Sequence, residues 1–196
     1  MSTSHTQHTP ASHLERVEAP GSMLTKTAAK ALAVLRYATG FVFLWAFLDK
    51  TFGLGYSTPE ARAWINGGSP TKGFLSSVDA GPLQGFFHTI AGTWWANWLF
   101  MLGMLGIGLA LIAGIGLRIA AASGTLIMAM MWLAEFPLAQ HTAKGAPSGS
   151  TNPLTDYHFI YAAVLIVLAA AYAGHTWGLG RRWAKLHIVQ RNRWLI

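Results

Sequence analysis

The chain of 196 residues contains no cysteine and few charged residues, which make up 11% of the sequence. Without cysteine, the protein has no disulfide, no thiolate metal site and no dithiol redox centre. Soluble domains carry about 25% charged residues, whereas 53% of this chain is hydrophobic. The composition therefore indicates a membrane protein, and any redox chemistry must use a bound cofactor, a quinone or a partner subunit.

Four apolar runs are long enough to cross a bilayer, because a helix of about 20 apolar residues spans roughly 30 Å of hydrocarbon. The runs cover residues 28–50, 94–116, 118–136 and 154–174. The predicted fold is therefore all-α, an integral membrane four-helix bundle. The predicted membrane domain covers residues 28–178, between a disordered cytoplasmic tail at 1–27 and a basic cytoplasmic tail at 179–196.

The predicted loop at 51–93 is long for a small helical bundle, and long loops are often functional. Its Thr58-Pro59-Glu60 and Ser69-Pro70-Thr71 segments are typical of helix starts. We expect short interfacial helices in this loop, which would cover the outer mouth of the bundle and shield a site from water.

Basic residues near the helix ends predict the orientation in the membrane, since Lys and Arg are enriched on the cytoplasmic side. The C-terminal tail is rich in both, and Arg118 lies in the short turn between the second and third runs. With four spans, both termini are expected in the cytoplasm, while the loops 51–93 and 137–153 face outward. The basic C-terminal tail is expected to contact anionic lipids, and no nucleic-acid partner is expected.

Six polar residues fall at one predicted depth, near the outer ends of the helices. They are Asp49, Lys50, Glu135, Asn152, Asp156 and His158. Ionisable groups that converge at a membrane edge suggest a functional site. The alternative is that helix ends are simply where charged side chains reach water. Both interpretations stay open for the three carboxylates, whereas the apolar surroundings of Lys50 and His158 favour a functional one.

Arg36 lies inside the first apolar run, where a charge costs about 2.5–3.5 kcal/mol on insertion scales. It precedes Lys50 by 14 positions, which is about 21 Å along a helix and roughly 40° from the same face. The two cations are therefore candidates for lining one elongated pocket. Alternatively, Arg36 reaches the cytoplasmic headgroups or binds unpaired carbonyls.

His158 is a candidate proton relay, quinone hydrogen-bond partner or haem ligand, and a histidine satisfied at the membrane interface is an open alternative. A haem held by two histidines needs a second one at matching depth. His88 and His141 belong to predicted outer loops, and His175 lies at the opposite end of the same run. We therefore expect no haem, and we predict no metal site.

Three stretches together resemble the DoxX/DoxD family of small bacterial membrane proteins. They are LRYATGFVFLWAFLDK, AWINGGSPTKGFL and NPLTDYHFIYAAVLIVLAAAYAGHTWGLGRRW. The resemblance covers most of residues 30–183 and implies a four-helix domain in the bacterial inner membrane. It implies a membrane subunit of a quinone-linked oxidoreductase. In the DoxD branch, the enzyme joins two thiosulfates into tetrathionate and passes two electrons to a quinone, with a second subunit.

The implied reaction suggests roles for the polar residues. Thiosulfate is a dianion, so Lys50 and, deeper, Arg36 are expected to bind it, with Asn152 and Asp156 beside them. The expected cofactor is a quinone, either menaquinone or ubiquinone. Its proton carriers would be His158, Glu135 and Asp49, and its ring contacts Trp45, Trp64 and Trp98.

Two other functions stay open. The chain contains no recognisable cofactor motif, which favours a non-catalytic subunit that anchors or assembles a larger respiratory or redox complex. A small transporter is the weaker alternative, because the sequence shows neither broken helices nor inverted repeats. A catalytic protein is expected to have a partner subunit or to form a homo-oligomer.

Overall fold

A computed structural model describes residues 25–196 of the chain. The predicted tail at 1–27 lies outside the described residues except for its last three positions. The described part is helical and contains no β-strand, with only two isolated bridges. Its α-helices are α1 (Lys26–Phe52), α2 (Lys72–Ser76), α3 (Gln84–Ile90), α4 (Trp94–Ala113), α5 (Leu117–Glu135), α6 (Tyr157–Ala170), α7 (Gly180–Trp183) and α8 (His187–Arg191).

Three of these helices, α1, α4 and α5, are long and apolar enough to cross a membrane. The prediction of an all-α protein is confirmed for the described residues, and three of the four predicted spans are helices that could cross a membrane. The fourth predicted span contains α6, which has only 14 residues and is therefore about 21 Å long. By length alone, α6 falls short of the roughly 30 Å hydrocarbon core.

Local capping explains why α6 is shorter than its apolar run. The Asp156 carboxylate accepts a hydrogen bond of 3.0 Å from the Phe159 amide, which starts the helix there. At the other end, Tyr172 adopts a left-handed conformation with φ 50°, which stops the helix. Gly174 then packs against Gly114, so closely that a methyl group on Gly174 would lie 2.1 Å from the Gly114 carbonyl oxygen.

The long helices α1, α4, α5 and α6 share one hydrophobic core. Phe43, Ile107, Leu111, Leu165 and Leu168 are its most buried members, none more than 2% exposed. Helices α1 and α4 run in opposite directions, because Gly40 contacts Leu111 whereas Leu44, further along α1, contacts Gly108. We call the end of the helices at 53–93 and 136–156 the loop end, and the opposite end, with 114–116 and 171–196, the tail end.

The segment between α1 and α4 forms a compact layer over the loop end. It contains α2, α3 and two 3-10 turns, Glu60–Arg62 and Trp64–Asn66, so the predicted short helices are present. Val78 and Phe87 of this layer form a second small core with Ala134 of α5. The layer is thereby attached to the long helices next to Glu135.

The C-terminal segment folds against the tail end. Val189 of α8 is completely buried, and the Trp183 indole nitrogen donates a hydrogen bond of 2.8 Å to the Leu195 carbonyl oxygen. The basic side chains of this segment, Arg181, Arg182, Lys185, Arg191 and Arg193, are therefore held at one end of the helices.

Close contact between α1 and α4 depends on a particular glycine. A methyl group on Gly108 would lie 2.8 Å from the backbone nitrogen of Leu44, whereas one on Gly106 would meet no atom within 4 Å. Small residues allow helix backbones to approach closely in lipid, and at this crossing only one of the two glycines is needed.

We expect Gly108→Ala to destabilise the protein by about 1–3 kcal/mol, because the added methyl group must displace the backbone of α1. Gly106→Ala is the matched control on the same helix, and should be neutral or stabilising by up to about 1 kcal/mol. Reversible unfolding in mixed detergent micelles measures both variants. Equal effects would contradict the close packing at Gly108.

Candidate functional site

Arg36 is completely buried at the tail end. Its guanidinium donates to the carbonyl oxygens of Leu111 and Ile112 at the end of α4, and to that of Trp177 at 3.0 Å. Carbonyls at the last turn of a helix lack the usual i+4 amide partner, although that of Leu111 also accepts a hydrogen bond of 3.2 Å from the Gly114 amide. The cation offsets its own burial by binding these carbonyls. The structure thus shows carbonyl binding by Arg36, and places it at the opposite end of α1 from Lys50 rather than in a pocket with it.

Asp49 is also buried, with 1% exposed, and it organises the chain that follows α1. Its carboxylate accepts hydrogen bonds from the Tyr56 amide at 3.2 Å, the Ser57 amide at 3.0 Å and the Ser57 hydroxyl at 2.6 Å. Gly53, with φ 67°, ends the helix and lets the chain turn back toward this carboxylate. Asp49 therefore holds the loop in place.

Lys50 faces a different environment, a cavity of about 670 Å³ in the loop-end layer. Arg62 and Lys72 also line it, no carboxylate is among its lining residues, and we call it the basic cavity. Lys50 is half-buried and makes no hydrogen bond or ion pair within residues 25–196. Asp49 attracts the Lys50 ammonium group from outside the lining, and three cations in a cavity that no carboxylate lines favour an anion there.

Asn97 shapes the wall of the basic cavity, although it comes from the apolar start of α4. Its side-chain oxygen is buried and accepts hydrogen bonds from the Ser69 hydroxyl at 3.0 Å and the Thr71 hydroxyl at 2.7 Å. These bonds hold the 69–71 segment beside Lys72. The sequence analysis did not identify Asn97, Arg62 or Lys72, although a lone amide between tryptophans was a possible signal.

The second group of predicted residues gathers around His158, which is 1% exposed. Its Nδ1 lies 2.8 Å from Asp156 Oδ2 and 3.9 Å from Glu135 Oε2. Glu135 accepts a hydrogen bond of 2.6 Å from the Tyr157 hydroxyl. The structure therefore brings His158, Asp156 and Glu135 together, as the sequence predicted, and adds Tyr157 to them.

A polar cavity of about 310 Å³ opens in front of this cluster. Asp79, Glu135 and Asp156 line it, and neither lysine nor arginine is among its lining residues. We call it the acidic cavity. Asn152 also lines it, and accepts hydrogen bonds of 2.9 Å from the amides of Leu154 and Thr155. Asn152 thereby shapes the turn that presents Asp156.

An apolar groove of about 500 Å³ lies behind the cluster, between α5 and α6. Its lining is almost wholly nonpolar and includes the Trp132 and Phe159 rings, together with His158 and Thr125. Of the described residues, three have a buried side-chain atom without a hydrogen-bond partner: Arg36 Nε, Thr125 Oγ1 and His158 Nε2. The latter two belong to residues that line this groove.

The predicted tryptophans lie elsewhere. The Trp45 ring packs on Tyr56 with a centroid separation of 5.1 Å, and Trp64 packs on Trp98 at 4.7 Å. None of the three is among the residues that line the apolar groove. The indole there is Trp132, which is one helical turn from Ala129 and two from Thr125. Helical periodicity in the sequence could therefore have indicated that these three residues share one face of α5.

The predicted converging group of six therefore separates into two sites and a structural anchor. Lys50 lines the basic cavity, and Asp49 binds the adjoining loop. Glu135, Asn152 and Asp156 line the acidic cavity, and His158 lies between two of these carboxylates and the apolar groove. Comparison of the chain with protein-family models, with curated proteins and with solved structures finds no match in any of the three.

We expect Asp49→Ala to release the loop after α1. The carboxylate accepts three hydrogen bonds, and bonds to a charged group contribute about 1.5–3 kcal/mol each. Amide hydrogen exchange at Tyr56 and Ser57 should therefore accelerate at least about tenfold. Lys50→Met, the neighbouring substitution, should leave these amides unchanged, and acceleration in both variants would contradict the role given to Asp49.

Proposed function

We propose that this protein is the quinone-reactive membrane subunit of an oxidoreductase, with the quinone ring in the apolar groove beside His158. The observation that carries the proposal is that His158, whose Nε2 is buried without a hydrogen-bond partner, lines an otherwise nonpolar groove. An unpaired polar atom in such surroundings costs about 1–3 kcal/mol. A quinone supplies both a flat apolar ring and an oxygen that pairs with this nitrogen.

The bond between His158 and Asp156 prepares the imidazole for proton transfer. In the neutral ring, Nδ1–H donates to the Asp156 carboxylate, which leaves Nε2 as an acceptor. A quinol hydroxyl can then donate to Nε2. In the protonated ring, Nε2–H donates to a quinone carbonyl instead, and the two nearby carboxylates stabilise the imidazolium.

Reduction of a quinone consumes two electrons and two protons, and the cluster offers a route for the protons. His158 transfers its Nε2 proton to the reduced carbonyl oxygen, and the ring keeps its other proton on Nδ1, against Asp156. A flip of the imidazole then turns the bare nitrogen toward Asp156 and the remaining N–H toward the quinone, so that a proton arriving through Asp156 restores the imidazolium. Asp156 and Glu135 both face the acidic cavity, from which protons return to them. Both protons can follow this route in succession, and reversing it releases protons during quinol oxidation.

The basic cavity is suited to an anionic electron donor. Lys50, Arg62 and Lys72 line it, and thiosulfate is the donor that the family resemblance implies. Two thiosulfates joined into tetrathionate release the two electrons that one quinone takes up. Phe74 lines both the basic and the acidic cavity, so the two sites adjoin in the loop-end layer. A partner subunit or a second copy of the chain completes the enzyme.

The proposed function includes a membrane topology. Helix α6 is the fourth crossing segment of a four-helix bundle, and its capped ends are extended by polar turns toward each surface. The loop end faces away from the cytoplasm of a bacterial cell. The basic C-terminal segment, which contains no acidic residue from 171 onward, lies at the cytoplasmic surface against anionic lipids.

We expect His158→Gln to weaken binding of a short-chain quinone analogue at least tenfold, because it removes the hydrogen bond from Nε2. Ala129→Phe should weaken binding similarly by filling the groove, although it leaves the pair of His158 and Asp156 intact. Titration calorimetry of the full chain in detergent measures both. His141→Gln, in an exposed loop, is the matched control and should bind normally.

Two results would contradict the quinone site. One is unchanged affinity in both groove variants, and the other is the absence of analogue binding by the native protein. Either result would favour the alternative of a non-catalytic anchor subunit. Thermal unfolding of each variant separates a lost ligand contact from a lost fold.

We expect Lys50→Gln to raise the KM for thiosulfate about tenfold in thiosulfate-dependent quinone reduction, because a half-buried cation of the basic cavity is lost. Lys144→Gln removes a charge from the other loop at the same end and is the matched control, with KM unchanged. Membranes that contain the full complex provide the assay. Equal KM in both variants would exclude the basic cavity as the donor site.

A further inference from the structure

We propose that Glu135, Asp156 and His158 form a binding site for a first-row divalent metal ion such as Zn²⁺. One donor atom from each residue lies within 4.8 Å of the other two. Nδ1 of His158 is 2.8 Å from Asp156 Oδ2 and 3.9 Å from Glu135 Oε2. Tetrahedral Zn²⁺ with bonds of about 2.0–2.2 Å needs donors roughly 3.3–3.6 Å apart. The two closer pairs must change by under about 1 Å, and the widest pair, at up to 4.8 Å, must close by about 1.2–1.5 Å.

The charge of the cluster favours a cation. Two carboxylates converge on one imidazole nitrogen, Asp79 adds a third carboxylate to the cavity wall, and no lysine or arginine lines that cavity. Like charges at such distances repel each other, more strongly where protein replaces water. A divalent ion among the three donors replaces this repulsion with attraction.

The buried imidazole distinguishes this cluster from a group of surface carboxylates. A metal bound at Nδ1 requires the ring proton to move to Nε2, and no hydrogen bond within the described residues holds Nε2 in another state. The ring is 1% exposed, so its orientation toward the two carboxylates is set by packing. Mixed nitrogen and oxygen ligands of this type suit zinc and neighbouring first-row metals.

The remaining coordination position faces the acidic cavity, whose volume of about 310 Å³ accommodates water. The Tyr157 hydroxyl donates a hydrogen bond to Glu135 Oε1. The other carboxylate oxygen, Oε2, is the one that lies near the imidazole. Three protein ligands with one open position are typical of exchangeable rather than purely structural zinc sites. The ion would therefore enter from the loop end.

A bound ion would also regulate the proposed function, and this part of the inference rests on that function. Metal and proton compete for the same Nδ1 and carboxylate atoms. An occupied site breaks the bond between His158 and Asp156, and thereby interrupts the return of protons to His158. Zinc is expected to slow quinone reduction, although the apolar groove stays open to the quinone ring.

Titration of the detergent-solubilised full chain with Zn²⁺, and with Co²⁺ as a spectroscopic probe, tests the site. The native protein should bind one ion, and bound Co²⁺ should show the intense visible absorption of a four-coordinate complex. Glu135→Gln removes one ligand but keeps an acceptor for Tyr157, and should weaken binding at least tenfold. Asp79→Asn removes a carboxylate from the same cavity and should change affinity less than threefold.

Three results would overturn the site. They are the absence of a stoichiometric ion in the native protein, an octahedral Co²⁺ spectrum, and equal losses of metal affinity in the two variants. Equal losses would indicate that the ion is attracted by the charge of the cavity alone. Thermal unfolding without metal checks that both variants fold. A parallel titration with the quinone analogue keeps the proposals separate. Zinc binding without binding of the quinone analogue refutes the quinone site alone. Binding of the analogue without zinc binding refutes the metal site alone.

Discussion

Every polar group placed among apolar helices must find a hydrogen-bond partner, and this constraint explains the arrangement of the protein. Arg36 meets it by donating to carbonyls at the end of α4 and at Trp177. Asp49 meets it by accepting from the backbone of Tyr56 and Ser57. These two buried charges therefore maintain the fold at opposite ends of α1. Their hydrogen bonds are made within the protein, and of their polar side-chain atoms only Arg36 Nε is buried without a partner.

His158 differs from both in its surroundings, because its unpaired Nε2 belongs to a ring that lines a nonpolar groove. The paired nitrogen lies near two carboxylates that line the polar cavity, while the ring itself lines a nonpolar groove. A proton can therefore pass between water and an apolar binding site through one side chain. The two ring nitrogens therefore lie in different environments, Nδ1 beside two carboxylates and Nε2 buried without a partner.

Separation of charge in the loop-end layer is the second organising feature. The basic cavity contains Lys50 and the acidic cavity contains Glu135, with Phe74 lining each. An anion is attracted to one cavity and excluded from the other by the sign of the charge alone. An anionic donor and a proton route can therefore adjoin without competing for the same residues. The expectation that Asp156 and Asn152 bind the anion with Lys50 stays a prediction, and the charge of their cavity opposes it.

The sequence by itself determined the apolar helices, because hydrophobic length and helix capping are local properties. It also determined that Glu135, Asp156 and His158 share a depth, since each lies next to a helix end. Only the tertiary structure decided which charges are satisfied by backbone groups. The tertiary structure also decided that Lys50 lies with Arg62 and Lys72, and that Trp132 lies beside His158. It also showed the grouping of donors on which a metal site is proposed, where none was predicted. These depend on helix rotation and on how residues 53–93 fold back, and neither follows from the spacing of residues along the chain.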